Sequence, residues 1–573
     1  MITIKTRFSM LPDSKLALLK ELVKVSTPEE LIWSKGYIAG FLEGRSNATT
    51  NLPAPAVPQV AVKPLIIYGT ETGNSKKVAS GLLASFKKKK INARSVDIFG
   101  FDPAKLEKEE LALFIVSTQG EGEFPLNAQA FYDKLTAKQY KLDKLSYAVF
   151  GLGDSSYPLF NQAAVLLDEA LTKQGAKSVL PLVKADVSYK DDVLQWETGL
   201  DSIFSGVQPN AIVAAPTESA HGKTSYQGIV SHSIVLNDTG SNKETYHIEI
   251  TTDEAVDYEP GDALGVYAKN EATKINAVLK LLGTDANALI AVNGENKTAT
   301  QWLEEKNILG LSKRSVKLIG ELLHTNFADE VTDLEDLLSQ TELPEDFEIS
   351  ALIALLLPVA PRLYSISSSP EAHTGEVHLT VTLNTFVANG VEKRGLASQY
   401  LTAFSKDAPL DFYIHRNDNF RLADDDRDII MIGPGTGIAP FRSFLAHRDA
   451  TGAEGKNWLF FGEQHFVLDF YYQTEIQDWL ASGVLTHLDV AFSRDQQHKI
   501  YVQDRIREKA TAFNQWLQDG AVLYICGQKA PMSTDVEKVI IEVIATQRGI
   551  SNEAAIQVLE NLDNEGRYLK DVY

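Results

Sequence analysis

One cysteine, Cys526, stands among 573 residues. A single thiol excludes an internal disulfide and any metal centre resting on thiolates, and it fits a reducing compartment. Long apolar runs are missing as well. The stretch Met1 to Met10 is short, mixed and partly charged, with neither a signal-peptide core nor a membrane span, so the chain is expected to be cytoplasmic. Positive charge is in short supply: 55 Lys+Arg against 76 Asp+Glu leave a net charge of −21. That argues against nucleic acid as the main partner, because phosphate binding needs a basic face. The acidity has two readings side by side, steering toward a basic protein partner or plain solubility of a large chain. There is no internal repeat and no low-complexity tract.

What is present is length and a globular composition. At about 100–200 residues per domain, the chain predicts three or four folding units, and 44% apolar with 23% charged residues gives each a core. Residues 14–44 read as two helices, the first with Leu16, Leu19, Leu22 and Val23 at helical spacing. The second starts at Ser26-Thr27-Pro28-Glu29 and carries Leu31, Trp33, Tyr37 and Phe41. This segment is too small for a domain, so it either docks on its own chain or serves self-association into a homo-oligomer. Residues 45–63 are a linker stiffened by Pro53, Pro55 and Pro58, and residues 207–222 are a second.

Between the linkers, apolar strand-like runs alternate with helical patterns, the signature of a doubly wound parallel sheet over 64–206. From 223 to 427 the pattern is all-β, interrupted by a helical insertion of about 271–357. From 428 the βα alternation returns. The expected architecture is therefore multidomain α/β plus a β-barrel.

Three strand ends in the first sheet carry chemistry. Leu65 to Tyr68 runs into Gly69-Thr70-Glu71-Thr72-Gly73-Asn74-Ser75 and a helix. Amides at a helix start hold an anion and hydroxyls add donors. No Gly-Lys-Ser/Thr follows, so this is not a nucleoside-triphosphate loop; taken alone, it is more simply a helix cap. The next strand ends in Ser117-Thr118-Gln119-Gly120, and a third in Leu152-Gly153-Asp154-Ser155-Ser156-Tyr157, continuing through Pro158-Leu159-Phe160 to Asn161. All three leave one sheet edge, where doubly wound folds bind ligands. Together they resemble flavodoxin-type FMN domains, and the resemblance implies FMN against these loops, with Tyr157 facing the ring and Asn161 closing the last loop.

In the barrel, Arg362-Leu363-Tyr364-Ser365 resembles the Arg-x-Tyr-Ser strand of ferredoxin-reductase-type FAD domains. Arginine's planar fork suits a pyrophosphate, Tyr364 suits the ring, and Ser365 the flavin nitrogen that receives hydride. Gly395-Leu396-Ala397-Ser398 opens a helix and offers amides and a hydroxyl to the other half of the pyrophosphate. Thr380, Val381 and Thr382 lie on a strand between the two and are expected to line the ring. Phe386 stands where the family often has tyrosine, which removes one flavin hydrogen bond.

Ile429 to Gly433, then Pro434-Gly435-Thr436-Gly437 and a helix, is a nucleotide-type turn in its required context. Ser493-Arg494 and Lys499-Ile500-Tyr501-Val502-Gln503 gather a hydroxyl, a guanidinium and an ammonium beside it. These suit a dianionic 2′-phosphate, hence NADPH, where NAD would call for a carboxylate. Asp535 is placed in the same nucleotide set. Cys526 at the end of Val522 to Gly527 reads on spacing alone as a small core residue.

The order of these parts resembles the diflavin reductases, within them the flavoprotein components of assimilatory NADPH–sulfite reductases. The resemblance rests further on Thr27-Pro28-Glu29-Glu30-Leu31, on Asn417-Asp418-Asn419-Phe420-Arg421-Leu422 and on Arg567 to Tyr573. It implies a hydride-transfer cluster of Ser365, Cys526 and Asp571, with Tyr573 covering the FAD ring. It also implies an electron path from NADPH through FAD and FMN to a sirohaem hemoprotein subunit that reduces sulfite to sulfide. Neither a membrane nor nucleic acid nor a metal enters this expectation. A microsomal-type cytochrome reductase would share the path but normally carries a membrane anchor. A non-catalytic flavodoxin-fold redox sensor would show no NADPH oxidation.

Overall fold

Leu65, Ile66 and Ile67 are all buried, as a central parallel strand covered on both faces requires. The structure, a computed structural model, describes residues 63–204 and 224–573 apart from 71–72, 121, 188, 329–332, 389 and 405. The expected helices within 14–44, the linker 45–62, Glu71, Thr72 and the linker 207–222 lie outside the described residues.

The first sheet domain runs β1 (Leu65–Gly69), α1 (Asn74–Lys88), β2 (Arg94–Asp97), β3 (Leu111–Ser117), α2 (Leu126–Ala137), β4 (Ser146–Leu152), α3 (Gln162–Lys173), β5 (Lys177–Ser178), β6 (Val183–Ala185) and α4 (Lys190–Phe204). Its strands are ordered β2-β1-β3-β4-β5, with β6 also on β4, and every pair is parallel. Right-handed crossovers through helices leave the loops after β1, β3 and β4 at one carboxyl edge.

The barrel begins with β7 (Ser225–Val235), β8 (Thr245–Thr252) and β9 (Ala263–Val266). The insertion follows. Besides the helices expected there it holds a hairpin: α5 (Ala272–Leu281) leads into β10 (Leu289–Val292) and β11 (Glu295–Thr298). Asn293 and Gly294 turn it at φ 51 and 88, the left-handed pair that a two-residue hairpin needs. Then come α6 (Ala299–Glu305), α7 (Lys313–Leu322), α8 (Leu334–Ser339) and α9 (Ile349–Leu355), packed on their own apolar core. The barrel resumes with β12 (Arg362–Ser365), β13 (Glu376–Thr382), the hairpin β14 (Thr385–Ala388) and β15 (Val391–Arg394), α10 (Leu396–Thr402) and β16 (Pro409–His415). The antiparallel order is β12-β9-β16-β7-β8-β13, and a bridge between Ile366 and Leu379 joins its two ends.

The last domain runs β17 (Ile429–Ile432), α11 (Ile438–Thr451), β18 (Asn457–Glu463), α12 (Phe466–Asp469), α13 (Gln473–Ser482), β19 (His487–Phe492), α14 (Val502–Glu508), α15 (Ala510–Gln518), β20 (Val522–Gly527), α16 (Thr534–Arg548), α17 (Asn552–Asn564) and β21 (Tyr568–Val572). Its parallel order is β19-β18-β17-β20-β21, with an apolar core on each face.

The connector between barrel and last domain is clasped by Asp262. This fully buried carboxylate accepts from the amides of Glu259 and Asn417, both at 2.9 Å, and from Arg416 at 3.0 Å and Arg421 at 2.5 Å. Four donors satisfy a charge that would otherwise be costly to bury. Phe420, between them, packs with Phe444 and Tyr524 of the last domain at 5.9 and 5.5 Å. Gly261 makes room, since a Cβ there would sit 2.0 Å from the Phe420 carbonyl oxygen. No helix among the described residues is long and apolar enough to cross a membrane.

Candidate flavin and nucleotide sites

The loops after β1, β3 and β4 meet at one edge. Thr70 Oγ1 accepts from the Gly73 amide at 2.9 Å, closing the turn into α1, and Gly73 takes φ 94 there. The Ser75 hydroxyl is buried with no partner among the described residues; Asn74 opens the helix beside it. The Thr118 amide donates to Leu152 O at 2.8 Å, and Thr118 Oγ1 accepts from the Ala163 amide at 3.2 Å. Ser117 Oγ lies 3.5 Å from Gly69 O. Gln119 bridges to Glu123 around Gly120, and the last loop presses Leu159 against Gly122, where a Cβ would meet it at 2.8 Å. A Cβ at Gly153 would sit 3.1 Å from Phe160 and 3.2 Å from the Asn161 amide, and Pro158 stands exposed between them and Tyr157. Asn161 is buried in the left-handed region at φ 57. Its Nδ2 donates to Ala185 O at 3.1 Å while its Oδ1 has no partner among the described residues. Buried polar atoms are normally satisfied, so the orphaned Ser75 hydroxyl and Asn161 oxygen fit a polar ligand such as a flavin phosphate and ring edge.

Asp154 Oδ1 accepts from the amide and hydroxyl of Ser156 at 2.8 and 2.5 Å, and Ser155 is tied to Asp186. This loop does not end at its own domain. Ser156 faces the Tyr413 hydroxyl of β16, Tyr157 meets Arg362 of β12, and Asp154 Oδ2 lies 3.9 Å from His415 Nδ1. On the far side, Lys77 of α1 pairs with Asp563 of α17 at 2.7 Å and Lys76 approaches Glu560 at 3.9 Å. The first sheet domain is thus docked on both others.

On the barrel, Arg362 is exposed and Tyr364 leans on the barrel core, where burial pushes its phenol up. Strand alternation separates the three residues of β13 that were expected to line a ring. Val381 points into the barrel core, leaving only its backbone for a ligand. Thr380 and Thr382 bond instead to Tyr472 at 2.7 Å and Thr245 at 2.8 Å. At the head of α10 the Gly395 amide donates to Asn384 O at 2.8 Å. Ser398 Oγ accepts from the Asn384 amide at 3.1 Å and donates to Gly395 O at 3.0 Å, so Leu396 and Ala397 start a pinned turn. Phe386 is exposed on the neighbouring hairpin.

In the last domain Gly437 packs so tightly that a Cβ would sit 2.2 Å from Cys526 O, and Gly435 takes φ 61. Ser493 and Arg494 follow β19 with amides bonded to Glu463 O and Gln464 O. Arg494, Lys499 and Tyr501 are exposed beside them, and Ile500 and Gln503 are half-buried. Val502 turns its side chain into the core. Asp535 lies in the first turn of α16 and pairs with Lys538 at 3.0 Å.

Register brings the remaining three residues together. Cys526 and Asp571 are partners across β20 and β21. Cys526 Sγ lies 3.8 Å from Asp571 Oδ2, and Ser365 Oγ donates to that same oxygen at 2.8 Å. Burial, then the Asp571 charge, push the Cys526 thiol well up, so it is a neutral thiol and not a thiolate. Burial raises the Asp571 carboxyl, while Ser365, Cys526 and the charge of His415 oppose that rise. Tyr573 bonds through its hydroxyl to Thr436 Oγ1 of the glycine turn at 2.7 Å.

Sequence reasoning missed a buried network between barrel and last domain. Arg442 of α11 grips Glu475 with two bonds of 2.6 and 2.8 Å, and it reaches Ser367 O at 2.8 Å and His378 Nδ1 at 3.1 Å. His247 Nδ1 meets Tyr472 OH at 3.0 Å. His247, Glu249 and His378 bring ligand-type atoms within 4.8 Å of one another. A guanidinium only donates, so the network assigns His378 Nδ1 as acceptor and puts its proton on Nε2, which faces Glu376 at 2.9 Å. A metal would meet a proton at one nitrogen and a cation at the other. These groups join two domains; they do not form a metal centre.

Three family descriptions match the chain: flavodoxin over 66–196, FAD binding domain over 218–318 and 330–400, and oxidoreductase NAD-binding domain over 431–538. The sulfite reductase (NADPH) flavoprotein alpha-component of Shewanella sp. (strain ANA-3) is 37% identical over 600 aligned positions, covering 99% of this chain and 98% of its own. Its counterpart in Klebsiella pneumoniae is 37% identical with 98% of each covered, and that in Bacillus subtilis 36% with 97% of each. The chain belongs to the family of NADPH–sulfite reductase flavoproteins. In this flavoprotein the flavodoxin match falls on the sheet with the orphaned Ser75 hydroxyl, the FAD match on the barrel, and the NAD match on the glycine turn. Asp571 and Tyr573 lie beyond every matched span, as does His415.

Proposed function

We propose that this chain is the NADPH-oxidising component of a sulfite reductase and delivers electrons to a sirohaem hemoprotein partner. FAD supplies the acceptor for a hydride, FMN supplies one-electron delivery, and NADPH is the reductant. The observation that carries the reading is the meeting of Ser365, Cys526 and Asp571 at 2.8 and 3.8 Å, under Thr436 and Tyr573, with the Asp154–Tyr157 loop docked beside them.

The chain's own residues have separable tasks. Ser75, Thr70 and the loop amides hold a phosphate, and Tyr157 and Asn161 border its ring. Arg362 and the pinned Gly395–Ser398 turn receive a pyrophosphate. Ser493, Arg494 and Lys499 select a 2′-phosphate. Ser365 holds a proton at Oγ toward Asp571, whose carboxylate steadies positive charge developing on the nicotinamide. Tyr573 excludes water until nicotinamide displaces it. Residues 14–44 serve self-association, and the buried single thiol fits the cytoplasm.

The test is reconstitution with both flavins, then NADPH oxidation with ferricyanide, and sulfide formation once the hemoprotein is added. Ferricyanide activity without sulfide would move the reading to another haem-protein acceptor. Replacing Asp571 with Asn is expected to slow NADPH-to-ferricyanide turnover about a hundredfold with FAD content unchanged.

A further inference from the structure

One side chain on the docked face of the barrel belongs to no motif. His415 ends β16 and pairs with Ala263 of β9, and Ala263 pairs on its other side with Ser365 of β12. Residues in one cross-strand row share a face, so His415 and Ser365 stand on the same side, two strands or about 10 Å apart. Tyr413 and Leu363 flank Gly265 in the next row of that face, and the Tyr413 ring lies over Gly265, whose Cβ would meet it at 2.1 Å.

Two carboxylates approach this imidazole from outside the barrel. Asp154 comes from the docked loop, 3.9 Å away, with side chains only 15% and 11% exposed. Asp571 comes from β21 and feels the His415 charge. Also at this face are the Tyr413, Tyr267, Tyr157 and Ser156 hydroxyls, Arg362 beside Tyr157, Ser365 and the neutral Cys526 thiol. Arg416, next along the chain, is committed to Asp257 and Asp262.

We propose that His415 is a positioning residue serving two seams at once: its cation seats the Gly153–Tyr157 loop through Asp154 and keeps the Asp571 carboxylate ionised beside Ser365. Removing the charge lets burial dominate at Asp571, so the carboxylate is protonated at higher pH. This rests on the reading of Asp571 as part of the hydride site.

The test uses the full chain with both flavins bound. The pH profile of kcat/KM for NADPH with ferricyanide, from about pH 5 to about pH 9, reports Asp571 in its acid limb. H415Q is expected to move that limb upward by at least ~0.5 pH unit and to slow FMN reduction in stopped flow severalfold. H415K, which retains a cation, is expected to keep the limb near its wild-type position. A limb unmoved in H415Q overturns the proposal, as does one moved equally by Gln and Lys, which would make shape and not charge the cause. A wild-type profile with no acid limb overturns both the proposal and the reading of Asp571.

Discussion

The last domain is joined to the barrel, and the first domain to both of them, by two seams of opposite character. The first is largely buried and densely bonded: Arg442 reaches Glu475, Ser367 and His378, and Tyr472 ties His247 to Thr380. The second is a handful of polar touches at loop tips, Asp154 with His415 and Tyr157 with Arg362, plus surface pairs such as Lys77 with Asp563. Buried ionic networks fix geometry and are costly to break, whereas exposed pairs are weak and screened by salt. The contrast sets a nicotinamide and FAD frame held by buried bonds against an FMN domain held by few and weaker ones.

The largest expected effect comes from breaking the rigid seam. Arg442→Met strands Glu475 and the Ser367 carbonyl and should cost about 3 kcal/mol. Denaturant unfolding followed by FAD fluorescence would measure it, and a loss within error of wild type would erase the contrast between the seams.

Acid sharpens the same comparison. Burial, then the Arg442 charge, lower His247 and His378 to about 3, against an ordinary value of about 6.5. Between those values the unfolded chain binds more protons, so stability is full above about pH 6.5 and falls as pH drops. The slope is up to ~1.4 kcal/mol per pH unit for each histidine. Melting of the barrel and last domain across that range should show it, and H378N should lower the slope by about half.

The smallest effect belongs to the loose seam. Lys77→Glu puts like charge against Asp563, with side chains 54% and 26% exposed. It should weaken docking by less than ~1 kcal/mol, and salt should erase the difference. X-ray scattering of the full chain at two ionic strengths would report it. A large, salt-resistant opening would mean that this seam is a rigid one too.

How much of this was legible beforehand follows the range of each interaction. The loops after β1, β3 and β4 were readable because glycine, hydroxyl and strand end lie within a few residues. The meeting of Ser365 with Asp571 spans 206 positions and was reached only through family resemblance. The β10–β11 hairpin had a local signal in Asn293-Gly294, but the helical stretches on both sides hid it. The rigid seam left a partial trace: His247-x-Glu249 and Glu376-x-His378 have the period of one strand face. Nothing local marks Arg442, which sits on a helix buried nearly all round and acts on residues of other strands. The bonds of the Thr380 and Thr382 hydroxyls to Tyr472 and Thr245 were likewise out of reach, since those partners lie 92 and 137 positions away.

The Asp262 clasp has a consequence for anyone recombining such chains. Arg416, Asn417 and Arg421 answer to a carboxylate in the barrel, while Phe420 among them is part of the aromatic packing of the final sheet. A crossover anywhere in residues 416–422 would hand one half of that knot to each parent. Chimeras of barrel and nucleotide sheet should therefore exchange the pair as a single cassette, and leave the freedom to mix parents to the flavodoxin-like portion upstream.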